Sequence, residues 1–203
     1  MKKMMTALAF ATTTAIASAQ FQVNPQIGLN FQKVTDAKPG SDFKAALGWT
    51  LGADARIGDR LFLQPGVFIG RNATTMSFGE GTAIAVKDDL IRTTLKLRAM
   101  AGYRIIDTYQ FDMRFMLGPS YDVLMSVDSK DNNIDWNRGD FNAGSFNIEA
   151  GFGFDMGLFT LAPTASFGLS KVFKDNPNIS NVDSKYMTYG LTIGMNFGND
   201  DAQ

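Results

Sequence analysis

One stretch of the chain, Phe111 to Met125, places an apolar residue at every second position. The residues between them are mostly charged, small or polar, among them Asp112, Arg114 and Ser120. Side chains of a β-strand alternate between the two faces of the sheet, so this strand would have one apolar and one polar face. An alternating strand of this length is typical of a sheet that contacts lipid on one side.

Seven further segments repeat the alternation, and strand signals at such regular spacing predict an all-β barrel. The eight predicted strands are Val23–Gln32, Leu47–Ile57, Leu61–Gly70, Leu90–Tyr103, Phe111–Met125, Phe146–Met156, Phe159–Leu169 and Met187–Phe197.

The predicted connections alternate between short and long. The short turns are Gly58–Arg60, Ile105–Tyr109 and Gly157–Leu158, and the long polar segments are Lys33–Ala46, Arg71–Asp89, Ser126–Ala143 and Ser170–Lys185. Short periplasmic turns and long extracellular loops are characteristic of outer-membrane barrels. We therefore predict an all-β, eight-stranded antiparallel up-and-down transmembrane barrel with four long extracellular loops.

The first nineteen residues have the order of a secretory signal peptide. Lys2 and Lys3 precede an uncharged apolar stretch, which ends in the small residues Ala17-Ser18-Ala19. We predict removal of residues 1–19 and a single barrel domain over residues 20–203. Without the two lysines the net charge falls from −1 to −3, which does not indicate nucleic-acid binding.

The polar face distinguishes a membrane barrel from a soluble one. A secreted or periplasmic lipocalin-like barrel, the alternative, would carry apolar residues inward and many charges outward to bind a hydrophobic ligand. Here the polar face consists mainly of Gly, Ser, Thr and Asn. Small side chains suit the narrow lumen of eight strands, so the pattern favours apolar residues facing lipid.

The charged residues on the polar face are predicted to fill the lumen as ion pairs. Counting from the short turns predicts a low, a middle and a high group. The low group is Asp54, Arg56, Asp112 and Asp155, the middle group is Arg98, Arg114 and Glu149, and the high group is Arg92, Lys96 and Asp122. A narrow conductive path is the alternative interpretation.

Aromatic residues on the apolar face are candidates for the two membrane interfaces, where amphipathic rings are enriched. They are Trp49, Tyr103, Phe111, Tyr121, Phe159 and Phe197.

Four prolines fall on the predicted apolar faces, each on an odd-numbered strand: Pro25, Pro65, Pro119 and Pro163. Proline cannot donate to the ladder and is normally confined to strand starts, edges or bulges. We therefore expect a bulge or a local break at Pro119 and at Pro163.

The chain resembles the eight-stranded outer-membrane β-barrel family often called PorT-like. The resemblance depends on Ala17-Ser18-Ala19, Leu61-Phe62-Leu63-Gln64-Pro65-Gly66, Gly151-Phe152-Gly153-Phe154 and the closing stretch from Gly190 to Phe197. It implies residence in the bacterial outer membrane and a closing aromatic, Phe197, that is read by the barrel-assembly machinery.

The composition gives no sign of catalysis. Cysteine and histidine are absent, so thiolate metal sites and histidine-based triads are excluded, and no cofactor pattern is present. We predict a monomeric, non-enzymatic protein in contact with outer-membrane lipid, and a lipid-modifying enzyme is a further alternative. Trp136, Ile134 and Phe141 are candidates for recognition in the third loop, with simple loop packing as the alternative.

Overall fold

A computed structural model describes residues 20–35, 41–78, 86–108, 110–129, 138–171 and 185–198. The predicted leader, 1–19, lies outside these ranges. The described strands are β1 (Phe21–Val34), β2 (Ser41–Gly58), β3 (Leu61–Phe78), β4 (Val86–Asp107), β5 (Asp112–Ser129), β6 (Gly144–Met156), β7 (Phe159–Gly168), β8 (Tyr186–Met195) and the two-residue β9 (Phe197–Gly198). A short 3-10 turn spans Arg138–Asp140. In this part of the chain no helix is long and apolar enough to cross a membrane.

The strands form one closed antiparallel barrel. Each strand from β1 to β7 pairs with the next along the chain, and β1 also pairs with β8 to close the sheet. In a closed barrel no strand edge leaves its backbone N–H and C=O groups without hydrogen-bond partners. Strands inside lipid require this because no water is present to bind those groups. The predicted eight-stranded barrel is confirmed.

The strand faces have the predicted polarity. Large apolar side chains such as Ile27, Leu63 and Ile193 are exposed on the outside, while the interior holds Gln, Asn, Asp, Arg and Thr side chains. This arrangement is the reverse of a soluble barrel around an apolar pocket, so the lipocalin-like alternative is wrong.

Three central hairpins extend beyond the predicted strand ends. The β2–β3 pairing runs to Ser41 and Phe78, the β3–β4 pairing to Val86, and the β4–β5 pairing to Ser129. The predicted long loops are therefore wrong for residues 41–46, 71–78, 86–89 and 126–129, which are strand. Alternation weakens above the apolar belt because neither face meets lipid there, so these strand ends carry no clear sequence signal.

The other end of the barrel has short turns. Gly157 adopts a φ of 57° in the Gly157–Leu158 turn, a conformation that glycine reaches without a steric penalty. The predicted turn at Ile105–Tyr109 begins later, since β4 continues to Asp107. We call this the turn end of the barrel and the opposite end the loop end.

The four prolines do not shift the strand register. On one side of each proline the ladder is continuous, as for Pro119 opposite Ile148 and Pro163 opposite Leu191. On the other side the described pairing skips the proline and resumes in the same register. The expected local break is thus a gap in one seam, because proline lacks the N–H that this seam would use.

Register shifts occur elsewhere. They lie between Ala45 and Trp49 of β2, between Thr93 and Thr94 of β4, and between Arg104 and Ile106 of β4. The first two are placed toward the loop end, where the barrel wall becomes the extended hairpins.

Candidate functional site: a filled lumen

The barrel interior is occupied by side chains from all eight long strands. The structure places each of the ten predicted charged residues on the inner face, and nine of them are buried. The tenth, Lys96, is partly exposed, with 23% of its side chain accessible. Their partners define two clusters at different depths.

The middle ion-pair cluster is built around Glu149 of β6. Lys96 Nζ donates to Glu149 Oε2 at 3.1 Å, and Arg98 Nη1 donates to Glu149 Oε1 at 3.2 Å. Arg98 also donates to Asp54, whose Oδ2 accepts a further bond from Gln26 at 2.6 Å. Lys96 lies 3.9 Å from Asp122. Five charged side chains from β2, β4, β5 and β6 therefore join across the lumen.

The turn-end ion-pair cluster is built around Asp155 of β6. Its Oδ2 accepts from Arg56 Nη1 at 3.0 Å and from Arg114, and its Oδ1 accepts from the Thr160 hydroxyl. Arg56 also donates to Gln22 Oε1 at 2.8 Å. One carboxylate thus holds two arginines, one from the neighbouring strand β5 and one from β2 across the lumen.

An apolar layer lies between the clusters. Phe62, Met100 and Met116 pack together inside the lumen with almost no exposure. Met100 follows Arg98 toward the turn end on β4, and Met116 follows Arg114 toward the loop end on β5. The Arg56 guanidinium faces the Phe62 ring at 5.5 Å, which adds a cation–π contact between the layers.

Large lumen side chains face glycines on the neighbouring strand. The register pairs are Phe62 with Gly102, Phe68 with Gly52, Arg98 with Gly66, Arg114 with Gly153, and Glu149 with Gly118. A Cβ on Gly102 would overlap the Phe62 ring, and one on Gly153 would overlap the Arg114 guanidinium. Gly52, Gly66, Gly102 and Gly153 therefore provide volume that the large side chains of their partners occupy.

Toward the loop end the lumen holds a further group of buried side chains. Arg92 stacks 3.5 Å from the centroid of the Tyr186 ring and donates to Gln32. Leu90, the next inward residue of β4 toward the loop end, is buried, as are Leu124 of β5 and Phe141 from the segment after β5. We call Arg92, Tyr186 and these three residues the cap. Arg138 Nη2 holds the segment after β5 by donating to the Leu124 carbonyl at 2.8 Å.

The buried position of Phe141 overturns one candidate for recognition. Phe141 is 1% exposed and contributes to the cap, so loop packing explains it. Ile134 and Trp136 lie outside the described residues.

Two polar spaces flank the filled part of the lumen. A cavity of about 50 Å³ between the cap and the middle cluster is lined by Thr50, Thr94, Thr164 and Thr188 among others. At the turn end, a wider vestibule of about 570 Å³ is lined by Asp112, Asp155 and Asn196. The two spaces are separated by both ion-pair clusters and the apolar layer.

The predicted depths hold only in part. Asp54, predicted in the low group, joins Arg98 in the middle cluster, and Arg114, predicted in the middle group, joins Asp155 at the turn end. Lys96 and Asp122, predicted in the high group, also belong to the middle cluster. Asp112 lines the vestibule, where it accepts the backbone N–H of Thr108 at 3.1 Å. Strands in a barrel tilt and are staggered, so equal counts from the turns do not give equal heights.

Several lumen residues were missed by the sequence analysis. Arg104 is buried on β4 and lies 3.7 Å from Asp59 and 3.6 Å from Asp107. It continues the even-numbered series of Arg98, Met100 and Gly102, so extending the predicted strand by one residue would have found it. The cation–π partner of Arg92, Tyr186, carries no such signal because it begins its strand.

The six aromatic candidates all come from the outward face. Trp49, Tyr103, Phe159 and Phe197 are exposed, and Phe111 and Tyr121 are partly covered by neighbouring rings. The Tyr121 ring lies 4.6 Å from that of Phe146, and the Phe111 ring 6.4 Å from that of Phe154. Their place at the membrane interfaces stays a prediction.

Chemistry-bearing groups outside the ion pairs are sparse. Within the described ranges, no three acidic, histidine or cysteine side chains are grouped as ligands for a metal ion. The geometry of the lumen is that of a cross-braced plug.

Comparison with known proteins identifies the architecture. A family model described as outer membrane protein beta-barrel domain matches residues 4–197. Among solved structures, the outer membrane protein OprG from Pseudomonas aeruginosa aligns with a TM-score of 0.56 at 13% identity, covering 89% of this chain and 97% of OprG.

Two further solved structures have similar coverage. Ail, the attachment invasion locus protein of Yersinia pestis, solved with a heparin analogue, has a TM-score of 0.47 at 17% identity, over 88% of this chain and 99% of Ail. Neisserial surface protein A has a TM-score of 0.47 at 11% identity, over 87% of this chain and 97% of that protein. No curated protein sequence matches the chain.

Proposed function

Because the chain belongs to the outer membrane protein beta-barrel domain family, we propose that it is a non-enzymatic, non-conducting scaffold that presents its loop-end hairpins at the cell surface. It resides in the bacterial outer membrane, with the turn end toward the periplasm. Recognition or envelope integrity would then depend on the hairpins above the membrane.

The filled lumen is the observation that carries this proposal. The middle cluster, the apolar layer and the turn-end cluster lie in series between the two polar spaces. Ions crossing the barrel would have to displace buried arginine–carboxylate pairs, and leaving a buried charge unpaired costs about 3–5 kcal/mol. That cost favours a closed barrel over a pore.

Conductance in planar bilayers tests the closed state. We expect the refolded protein to give no stable conductance steps of porin size, with a general porin in the same bilayer as the positive control. Heat-modifiable migration on a gel confirms that the inserted material is folded. Reproducible porin-like openings from folded protein would contradict the proposal.

The non-enzymatic part of the proposal has its own test. The lumen contacts supply a structural role for the buried carboxylates, since Glu149 and Asp155 are both held by cations. We expect the lipid A mass spectrum of a deletion strain to equal that of the parent strain. A deletion strain whose lipid A lacks or gains an acyl chain, and regains the parental lipid A with the wild-type gene, would indicate a lipid-modifying enzyme.

We further propose that the leader is cleaved after Ala19 and that the chain is PorT-like. The proposal rests on the leader pattern and on the Gly-aromatic strands of the sequence. Phe197 pairs with Val23 and is half exposed, which leaves its ring accessible to the barrel-assembly machinery. N-terminal sequencing of protein from outer membranes should begin at Gln20.

A further inference from the structure

The outer wall of the barrel has a groove beside its loop-end bulges. The groove has a volume of about 450 Å³. It is lined by the outward residues Leu47, Trp49, Arg71, Ala73, Asp89 and Ile91 of β2, β3 and β4, together with Ala46 and Gly48, which occupy inward positions of β2. Its volume falls in the range of about 300–1,000 Å³ that is typical of small-ligand sites. It is separate from the lumen, because it opens on the opposite face of the sheet.

The register shift in β2 lies at this groove. Pairing between β2 and β3 stops at Ala45 with Thr74 and resumes at Trp49 with Arg71. A bulge bends its strand and re-aims the neighbouring side chains. Here the interrupted ladder leaves a depression in a wall that is continuous at the next seam, where Arg71 pairs with Thr93 and Ala73 with Ile91.

The groove combines an apolar wall with one cation. Trp49 and Leu47 are exposed, and Ile91 is only 9% exposed although it lies on the outward face. Arg71 is exposed, and in the described part of the chain no hydrogen bond or ion pair engages its guanidinium. Asp89, the acidic group of the groove, accepts a bond from the Thr75 hydroxyl at 2.5 Å.

The depth of Arg71 matches a lipid headgroup. Arg71 lies about ten residues beyond Leu61, the first residue of β3 at the turn end. At about 3.3 Å per residue and a tilt of about 40°, it lies about 25 Å above the turn end, which equals the height of the apolar band of such barrels. The groove therefore faces the boundary between acyl chains and headgroups of the outer leaflet.

We propose that this groove binds the headgroup of one phosphorylated glycolipid of the outer leaflet, with a phosphate on Arg71 and a sugar ring against Leu47, Trp49 and Ile91. An acyl chain of the same lipid lies along Leu51 and Ile69, exposed outward residues on the turn-end side of Arg71. An arginine guanidinium can hold a phosphate through two parallel hydrogen bonds. Leu51 and Ile69, which pair on the turn-end side of Trp49 and Arg71, belong to the lipid-facing surface, so the acyl chain of a bound lipid need not leave the bilayer.

Trp49 provides a direct probe of occupancy. The chain has two tryptophans, so Trp136→Phe leaves Trp49 as the single indole. This protein, refolded into phosphatidylcholine nanodiscs, is titrated with lipid A and, separately, with dephosphorylated lipid A. We expect a saturable change of Trp49 fluorescence with lipid A. Dephosphorylated lipid A should bind with an affinity at least about tenfold lower, because it lacks the charge-assisted hydrogen bonds to Arg71.

Two variants separate specific binding from general lipid contact. Arg71→Gln removes the cation, whereas Ala73→Phe fills the groove and leaves Arg71 in place. Both changes should lower the affinity for lipid A by about tenfold or more. Arg60→Gln is the matched control, because Arg60 is exposed at the turn end beside Tyr103. It should bind lipid A as the parent does.

Folding is checked by heat-modifiable migration, which all variants should retain because the side chains of Arg60, Arg71 and Ala73 face outward. Equal binding of phosphorylated and dephosphorylated lipid, or unchanged binding by Arg71→Gln, would overturn the proposal. A fluorescence change that follows protein concentration and appears with dimer formation would also overturn it, since a second copy would then occupy the groove.

Discussion

The Arg114 guanidinium occupies the space that a side chain on Gly153 would need. These two residues are cross-strand partners on β5 and β6, and Arg114 is fully buried. The position of the arginine, and with it the bond to Asp155, therefore depends on the absence of a Cβ on the neighbouring strand.

Gly153→Ala should destabilise the barrel by displacing Arg114 from Asp155. Overpacking a well-filled interior costs about 1–3 kcal/mol, and the lost ion pair adds to it. Gly70→Ala is the control, because the nearest atom to a new Cβ there is the Trp49 carbonyl oxygen at 3.2 Å. Urea unfolding in detergent micelles measures both, and equal effects would contradict the argument.

Asp155→Asn should cost about 3–5 kcal/mol of unfolding free energy, because it leaves two buried arginines without their shared carboxylate. Asp59→Asn serves as the comparison. Asp59 lies 3.7 Å from Arg104, but its side chain is 67% exposed, so it should contribute at most about 1 kcal/mol. Similar unfolding curves for Asp155→Asn and the wild type would argue against a cross-braced lumen.

Phe141→Ala should open the cap and admit reagents to the upper cavity. Since the chain has no cysteine, Thr164→Cys places a single thiol in that cavity. We expect a charged methanethiosulfonate to modify this thiol slowly in the parent and faster when Phe141 is truncated. A cysteine at the exposed Asp128 gives the unhindered rate, and a rate independent of residue 141 would rule out the cap.

Pro119→Val should strengthen the seam between β4 and β5. Pro119 is paired with Ile148 of β6, while the ladder toward β4 skips the proline between Ser120 and Leu117. Valine restores an N–H facing β4, and one additional hydrogen bond contributes about 0.5–1.5 kcal/mol. A higher unfolding midpoint is the expected result. A lower midpoint would show that the seam is adapted to proline.

Much of the barrel could be predicted because one physical rule, alternation between lipid and lumen, acts along every strand. That rule assigns Arg98 and Glu149 to the interior and Leu63 to the outside without any tertiary information. The predicted strand β3 ends at Gly70, although the observed strand continues to Phe78. The alternation requires lipid on one face, so it gives no signal for the part of the strand above the membrane.

Partners were harder to predict than faces. The order of residues along one strand does not reveal the stagger between strands, so Asp54 was assigned to the wrong depth. The contact of Arg92 with Tyr186 joins β4 to β8, and neither sequence position signals the other. Phe141 is a candidate for recognition from the sequence because alternation assigns no face to an aromatic residue in a predicted loop, and only the structure shows that it is buried.

The four prolines also divide the barrel mechanically. Three of the proline gaps lie between strands that a short turn joins: β2–β3, β4–β5 and β6–β7. The fourth lies where β1 meets β8 and β9 to close the barrel. The ladders of β1–β2, β3–β4, β5–β6 and β7–β8 are continuous. The barrel is thus four intact two-strand ribbons joined by weaker seams. A force applied to one terminus should extract the chain one ribbon at a time, each leaving the bilayer as a unit of two strands.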